Sequence, residues 1–207
     1  MKQKVCIIGA GGSAVSIFQV IRHMGRQDEI IAFLETDDYY MSRQIHGIPV
    51  KPLSFFSPSE HQALISFGDS NERAKMVSLL PEHTQYATYV YSDVMMIAPE
   101  ETFIGRGCVI YPGCKISGSV KIGDHCLILA NAVLGHDVTI DDFFTAGVGL
   151  NLGGHCHIGA QVQCGMSVSI RDKTMICDQA VLGMGSIVVR NIDEQGVYMG
   201  NPARRAK

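Results

Sequence analysis

Leu134-Gly135-His136-Asp137 is the stretch of this chain whose residue types could do chemistry. A neutral imidazole suits a general base near pH 7. A neighbouring carboxylate raises its basicity and stabilises the imidazolium. Gly154 stands eighteen residues further on, in Gly153-Gly154-His155-Cys156-His157. If the chain repeats every eighteen residues, Gly154 lies one layer above His136, with its backbone N–H open to an oxyanion beside the base. Spacing alone leaves a plain surface histidine equally open. His155 and His157 flank Cys156 and by alternation point outward, as surface or interface imidazoles. A three-histidine metal centre needs histidines in register. His136 and His155 are nineteen residues apart, not eighteen, so no metal site is expected.

The eighteen-residue layer rests on a ladder of six. An aliphatic or small apolar residue recurs at Ile104, Ile110, Ile116, Ile122, Ile128, Leu134, Ile140, Ala146, Leu152, Ile158, Cys164, Ile170, Ile176, Leu182 and Val188, fifteen stops in strict register. A hexapeptide period is the signature of a parallel β-helix. Three hexapeptides make one triangular coil, so fifteen give five coils. Glycine follows eight of the stops, where it is expected to ease the corner through positive φ. Cys108, Cys114, Cys126 and Cys156 sit four residues after a stop, a slot for small buried hydrophobes rather than metal ligands. Phe144 and Leu150 occupy the same slot and predict a locally wider or kinked prism.

The N-terminal third reads differently. Strand patterns at Lys4–Ile8, Ile30–Leu34 and Ala63–Phe67 alternate with helical ones, which implies a parallel sheet. Ligands bind at the C-terminal ends of such strands, where Gly9–Ser13, Glu35–Asp38 and Gly68 converge. Gly47–Pro52 reads as an extended link. Ser70 or Asn71 is the expected N-cap of a second helix. The turn Gly9-Ala10-Gly11-Gly12-Ser13-Ala14 fits a dinucleotide fingerprint. The ladder begins near residue 100, which leaves room for one mononucleotide half and argues against NAD. That half can hold a nucleotide or nucleotide-sugar, with its diphosphate at a helix N-terminus; a packing-only glycine turn is the alternative.

With a net charge of −3 and no basic run, nothing in the sequence points to a nucleic-acid or anionic-membrane partner, and none is expected. The seven cysteines form no CxxC pair, and neither a signal peptide nor a transmembrane span is legible. The expected setting is cytoplasmic, with reduced thiols.

Taken together, Ile8-Gly9-Ala10-Gly11-Gly12, Phe33-Leu34-Glu35-Thr36, Phe67-Gly68-Asp69 with Arg73, Gly135-His136-Asp137 and Gly200-Asn201-Pro202-Ala203-Arg204 resemble the bacterial sugar O-/N-acetyltransferases of the sialic acid O-acetyltransferase family. That family includes the nucleotide-linked 4-amino-sugar N-acetyltransferases. The resemblance implies an α/β half-Rossmann domain over 1–85, then a left-handed parallel β-helix of hexapeptide repeats over 86–207. It implies acetyl-CoA as co-substrate and no metal. His136 would be the general base, Asp137 its partner, and Gly154 N–H the oxyanion donor. Thr145, Met166 and Met184 fall where the family contacts acetyl-CoA, in a groove between neighbouring prisms. Gly11, Gly12, Ser13, Glu35, Thr36 and Gly68 fall where it holds the nucleotide-sugar. Thr145 replaces a histidine frequent in the family, and Leu129 an asparagine. The expected activity is acetyl transfer to the amine of a nucleotide-linked 4-amino-4,6-dideoxy sugar. O-acetylation of a sialic-acid-like sugar is the alternative, and a non-catalytic nucleotide-sugar or NAD-binding module the alternative of another class. By analogy of architecture such prisms assemble as homotrimers.

Overall fold

The computed structural model describes residues 4–206. A five-stranded sheet comes first. Its strands are β1 (Val5–Ile8), β2 (Ile30–Glu35), β3 (Gln44–Ile45), β4 (Ile48–Pro52) and β5 (Gln62–Ile65), in the order β3-β4-β2-β1-β5. The pairs β4-β2, β2-β1 and β1-β5 are parallel, and β3 joins β4 as an antiparallel hairpin. The expected link at Gly47–Pro52 is therefore a paired strand. Its two prolines disguise it, but β4 lies near the sheet edge, where a missing N–H is tolerated.

Helix α1 (Gly12–His23) buries Ala14, Ile17, Phe18, Val20 and Ile21, a helical stripe, and Gly25 ends it at φ +71°. Helix α2 (Ser70–Leu79) covers the opposite face of the sheet with Met76, and Leu80 follows it into the same core. Its N-cap is Asp69, not Ser70 or Asn71: the carboxylate accepts from Asn71 N–H and Glu72 N–H.

A triangular prism follows. Its first face carries the strand pairs 109–110, 127–128, 145–146, 163–164 and 181–182. The second carries 115–116 to 187–188, and the third 103–104 to 175–176. Partners across each face are eighteen residues apart, as in Leu134↔Leu152 and Ile140↔Ile158. Every stop from Ile110 to Val188 is buried. Each fully buried aliphatic side chain contributes roughly 1.5–3 kcal/mol. Phe144 and Leu150 are fully buried in the same core. The prism extends beyond the ladder at both ends. Met96 pairs with Ile116 and Val90 with Ile110, twenty residues apart, because the 3-10 turn Pro99–Glu101 intervenes. Tyr198 pairs with Leu182 at sixteen.

Corner geometry departs from expectation. The residue with positive φ is three places after the stop, as at Asp137 (φ 56°) and His155 (φ 58°). The glycine directly after the stop is needed for space: a Cβ on Gly135 would lie 2.5 Å from Gly154 N in the next coil.

The sheet domain docks on the prism's first face. Tyr89, Val109, Tyr111 and Leu127 share a core with α1 and the sheet, and Tyr111 OH meets Ser16 Oγ at 3.0 Å.

Candidate active site

His136 stands at the edge between the second and third faces, held out by Gly135 and by a corner that turns at Asp137. Its Nδ1 lies 2.7 Å from Asp137 Oδ2. That hydrogen bond, with the charges of His155 and His136, holds the Asp137 carboxyl below the usual carboxylate range. With Nδ1–H given to Asp137, Nε2 keeps the free lone pair. Nε2 faces Gly154: a Cβ there would sit 2.8 Å from it. The eighteen-residue reading thus brings His136, Asp137 and Gly154 together.

The N–H of Gly154 is open. At the edge between the third and first faces, the N–H in this slot is taken by a carboxylate one coil on: Arg106 N–H by Asp124, Asp124 N–H by Asp142, and Ala160 N–H by Asp178. Among the described residues no such acceptor meets Gly154 N–H. A base nitrogen and an unpaired N–H side by side can take a proton from a nucleophile while stabilising an oxyanion. Gly154→Ala keeps the N–H but pushes the imidazole aside. It is expected to cut turnover by about 10–100-fold, at a stability cost within about 1 kcal/mol. Turnover and a urea melt measured on the same preparation check both.

Sequence reasoning missed His155. Its Nδ1 is 3.7 Å from Asp137 Oδ2, and its ring stands edge-on to His136 with centroids 4.7 Å apart. Counting from His136 hid this; counting from Asp137 gives eighteen. His136, Asp137 and His155 each offer a ligand atom within 4.8 Å of the others, so this trio could hold a metal ion. His157 instead pairs with Asp141 at 3.0 Å.

The second element is a cleft of about 360 Å³ at the C-terminal ends of β1, β2 and β5. Gly11, Gly12, Ser13, Glu35, Thr36 and Gly68 all line it, beside Tyr39 and Phe67. Gly11 caps α1 without any side-chain hydrogen bond, so the first N–H groups of the helix face the cleft for an anion. Glu35 is bidentate with Arg43 at 2.6 and 2.8 Å, and this bond lowers its carboxyl below the ordinary range.

Thr145 does not line the cleft but ties the prism to it through Gly68. Its hydroxyl donates to Gly68 O at 3.0 Å and accepts from Arg73 Nη2 at 2.9 Å. Met166 and Met184, exposed like Val148, form an apolar column along the edge between the first and second faces. Thr145, Met166 and Met184 therefore do not meet His136 within one chain. The cleft docks on the first face, and His136 stands on the edge opposite that face.

The fold and site define a class: a glycine-turn sheet domain joined to a hexapeptide-repeat β-helix with an exposed His–Asp pair. Residues 4–80 match the PglD N-terminal domain, and residues 101–136 match the bacterial transferase hexapeptide (six repeats). The two matches cover the sheet domain and the first coils of the prism. Among solved structures it is similar to a mutant perosamine N-acetyltransferase from Caulobacter crescentus, in complex with CoA and GDP-perosamine. The TM-score is 0.89 at 22% identity, covering 100% of this chain and 98% of that one. The acetyltransferase domain of PglB from Neisseria gonorrhoeae, in complex with acetyl coenzyme A, gives 0.76 at 21% identity, covering 99% and 100%. At these identities the likeness is one of fold. An acyl-[acyl-carrier-protein]--UDP-N-acetylglucosamine O-acyltransferase from Pseudomonas entomophila is 25% identical over 134 residues, 64% of this chain and 52% of that protein. The chain spans about half the length of the curated relatives it matches. Among the described residues no helix is long and apolar enough to cross a membrane.

Proposed function

We propose that this protein transfers the acetyl group of acetyl-CoA to the amine of a nucleotide-linked 4-amino-4,6-dideoxy sugar, in the synthesis of a surface glycan. The observation that carries this reading is His136 Nε2 poised beside the open N–H of Gly154, with Nδ1 tied to Asp137. His136 takes a proton from the neutral amine as its nitrogen attacks the thioester carbonyl. The carbonyl oxygen becomes an oxyanion, which Gly154 N–H receives. The C–S bond then breaks, and the imidazolium returns the proton to the leaving CoA sulfur. No covalent acetyl-enzyme is needed.

The nucleotide-sugar lies in the glycine cleft, its diphosphate on the first N–H groups of α1. Acetyl-CoA runs along the prism, where Met166 and Met184 offer an apolar strip. The cleft and the base lie on opposite sides of one prism, and a side of six residues spans up to roughly 20 Å. A second copy of the chain must therefore bring its His136 to the cleft, which supports a homotrimer with sites between neighbours. The solved relatives crystallised with CoA, acetyl coenzyme A or GDP-perosamine support the same ligand classes.

The test is release of free CoA across a panel of amino-sugar nucleotides and nonulosonic acids. Release with the 4-amino nucleotide-sugars alone is the expected result. Release only with the hydroxylated acids would move the acceptor to oxygen. Tight NAD binding without any release would make the protein a binding module. Chelation tests the metal alternative offered by His136, Asp137 and His155. Prolonged EDTA treatment is expected to leave the rate unchanged, and a rate restored only by added zinc would contradict the mechanism.

A further inference from the structure

His155 belongs to the same cluster as the base, yet the proposed mechanism gives it no task. It stands directly above Asp137, eighteen residues on, and both occupy the left-handed corner conformation. Its backbone N–H donates to His136 O at 2.8 Å, so the two histidines are fixed in register. Its Nδ1 approaches the carboxylate oxygen that already accepts from His136, at 3.7 Å against 2.7 Å. Its ring meets His136 at 86°, edge to face. The imidazole of His136 is thus bounded by Gly154 and by His155, and its Nδ1 is tied to Asp137.

The charged neighbours are few. In the coil below, Ser119 Oγ donates to Glu101 Oε2 at 2.8 Å, which engages that acid elsewhere. In the coil above stand Asp172 and Lys173, with Lys173 N–H bonded to Gly154 O at 2.8 Å. No side-chain hydrogen bond or ion pair joins Asp172 or Lys173 to Asp137 among the described residues. Among the described residues, the side chains that engage the Asp137 carboxylate are the two histidines.

We propose that His155 is a positioning residue that acts through Asp137, steadying the carboxylate so that His136 keeps its proton on Nδ1 and presents Nε2 as the base. Nearly half of the Asp137 side chain is exposed. A carboxylate so placed, gripped by one imidazole alone, turns freely into solvent. A second imidazole from the next coil, in ion-pair range at 3.7 Å, restricts it. The tautomer of His136 is set by the bond its other nitrogen makes, so steadying Asp137 steadies the tautomer. This inference rests on the reading of His136 as the base.

Two substitutions separate a tether from a packing role. His155→Asn places an amide N–H near the position of Nδ1 and removes the ring. His155→Phe keeps the ring edge against His136 and removes the donor. If His155 acts through Asp137, His155→Phe lowers kcat by about tenfold with KM for both substrates within about twofold, and His155→Asn stays within about threefold of the parent. In the background of Asp137→Asn, the Phe substitution then adds no further loss. Losses that multiply in the double variant, or a Phe variant more active than the Asn variant, would overturn the proposal. Nitrogen-15 NMR of the imidazoles reads the same point without any substrate. His136 in the parent is expected as the Nδ1–H tautomer, and in His155→Phe as a mixture. An unchanged tautomer in His155→Phe would also overturn it. Full activity in His136→Ala would instead refute the base, and the NMR result would still decide whether His155 orders the pair.

Discussion

His136→Ala is expected to lower kcat by about 10²–10⁴, the usual contribution of a general base, and to leave the fold and assembly unchanged. The side chain is 60% exposed and lies outside the prism core, so its loss opens no cavity. KM for acetyl-CoA should hardly move, because the ring binds neither ligand tightly before reaction. Steady-state rates, with size-exclusion chromatography as the control, check this. The same variant tests where the site is built. Gly12→Asp places a carboxylate where the diphosphate would sit; among the described residues nothing beyond its chain neighbours and its own helix backbone lies within 4 Å of that Cβ, so the chain accommodates it. Each variant alone is expected to be nearly inactive. Refolded together in equal amounts, they should regain about one quarter of parental activity, because a random trimer pairs an intact cleft with an intact base at one contact in four. A mixture that stays inactive would place cleft and base in the same chain.

The ladder of six was legible because each hexapeptide buries one residue at the stop and another four places on, and the stops keep strict register from Ile110 to Val188. The same count by eighteens placed Gly154 over His136. What escaped has physical reasons. The end coils at Val90, Met96 and Tyr198 pair at twenty and sixteen residues, because turns of other lengths interrupt the period. Strand β4 carries Pro49 and Pro52 and resembles a linker until its neighbour β2 is seen. The corner glycines were assigned to backbone conformation, when the constraint is the backbone of the next coil. The six cleft residues were legible because a glycine turn and strand ends are local signals; all of them line one cleft. Thr145, Met166 and Met184 depend on how whole surfaces meet, and spacing along one chain does not encode that.

Arg73 left the weakest trace in the sequence and carries the joint between the two domains. It is 1% exposed, and no carboxylate pairs with it among the described residues. Its Nε donates to His125 O at 2.7 Å. Nη1 donates to Phe67 O and Gly68 O, and Nη2 to Phe143 O, Phe144 O and Thr145 Oγ1. Burial lowers its pKa to about 10, so the guanidinium remains charged at neutral pH. The fork thus ties the loop beneath the cleft to two successive corners of the prism, and Thr145 completes the tie through Gly68 O. Ser70 Oγ to Gln161 O at 2.8 Å and Gln163 to Asp69 at 3.1 Å are the lesser bonds nearby. Arg73→Met fills most of the space yet strands several buried carbonyls. It is expected to cost about 3–5 kcal/mol. Arg73→Lys should recover little of it, because one ammonium cannot span carbonyls arranged for a planar fork. The loss falls on the sheet domain, since the prism keeps its own continuous core. Urea unfolding should therefore split, with the sheet domain melting before the prism, and KM for the nucleotide-sugar should rise more than KM for acetyl-CoA. A single transition at the parental midpoint in Arg73→Met would show that the apolar contacts of Tyr89, Val109, Tyr111 and Leu127 with α1 hold the joint without the guanidinium.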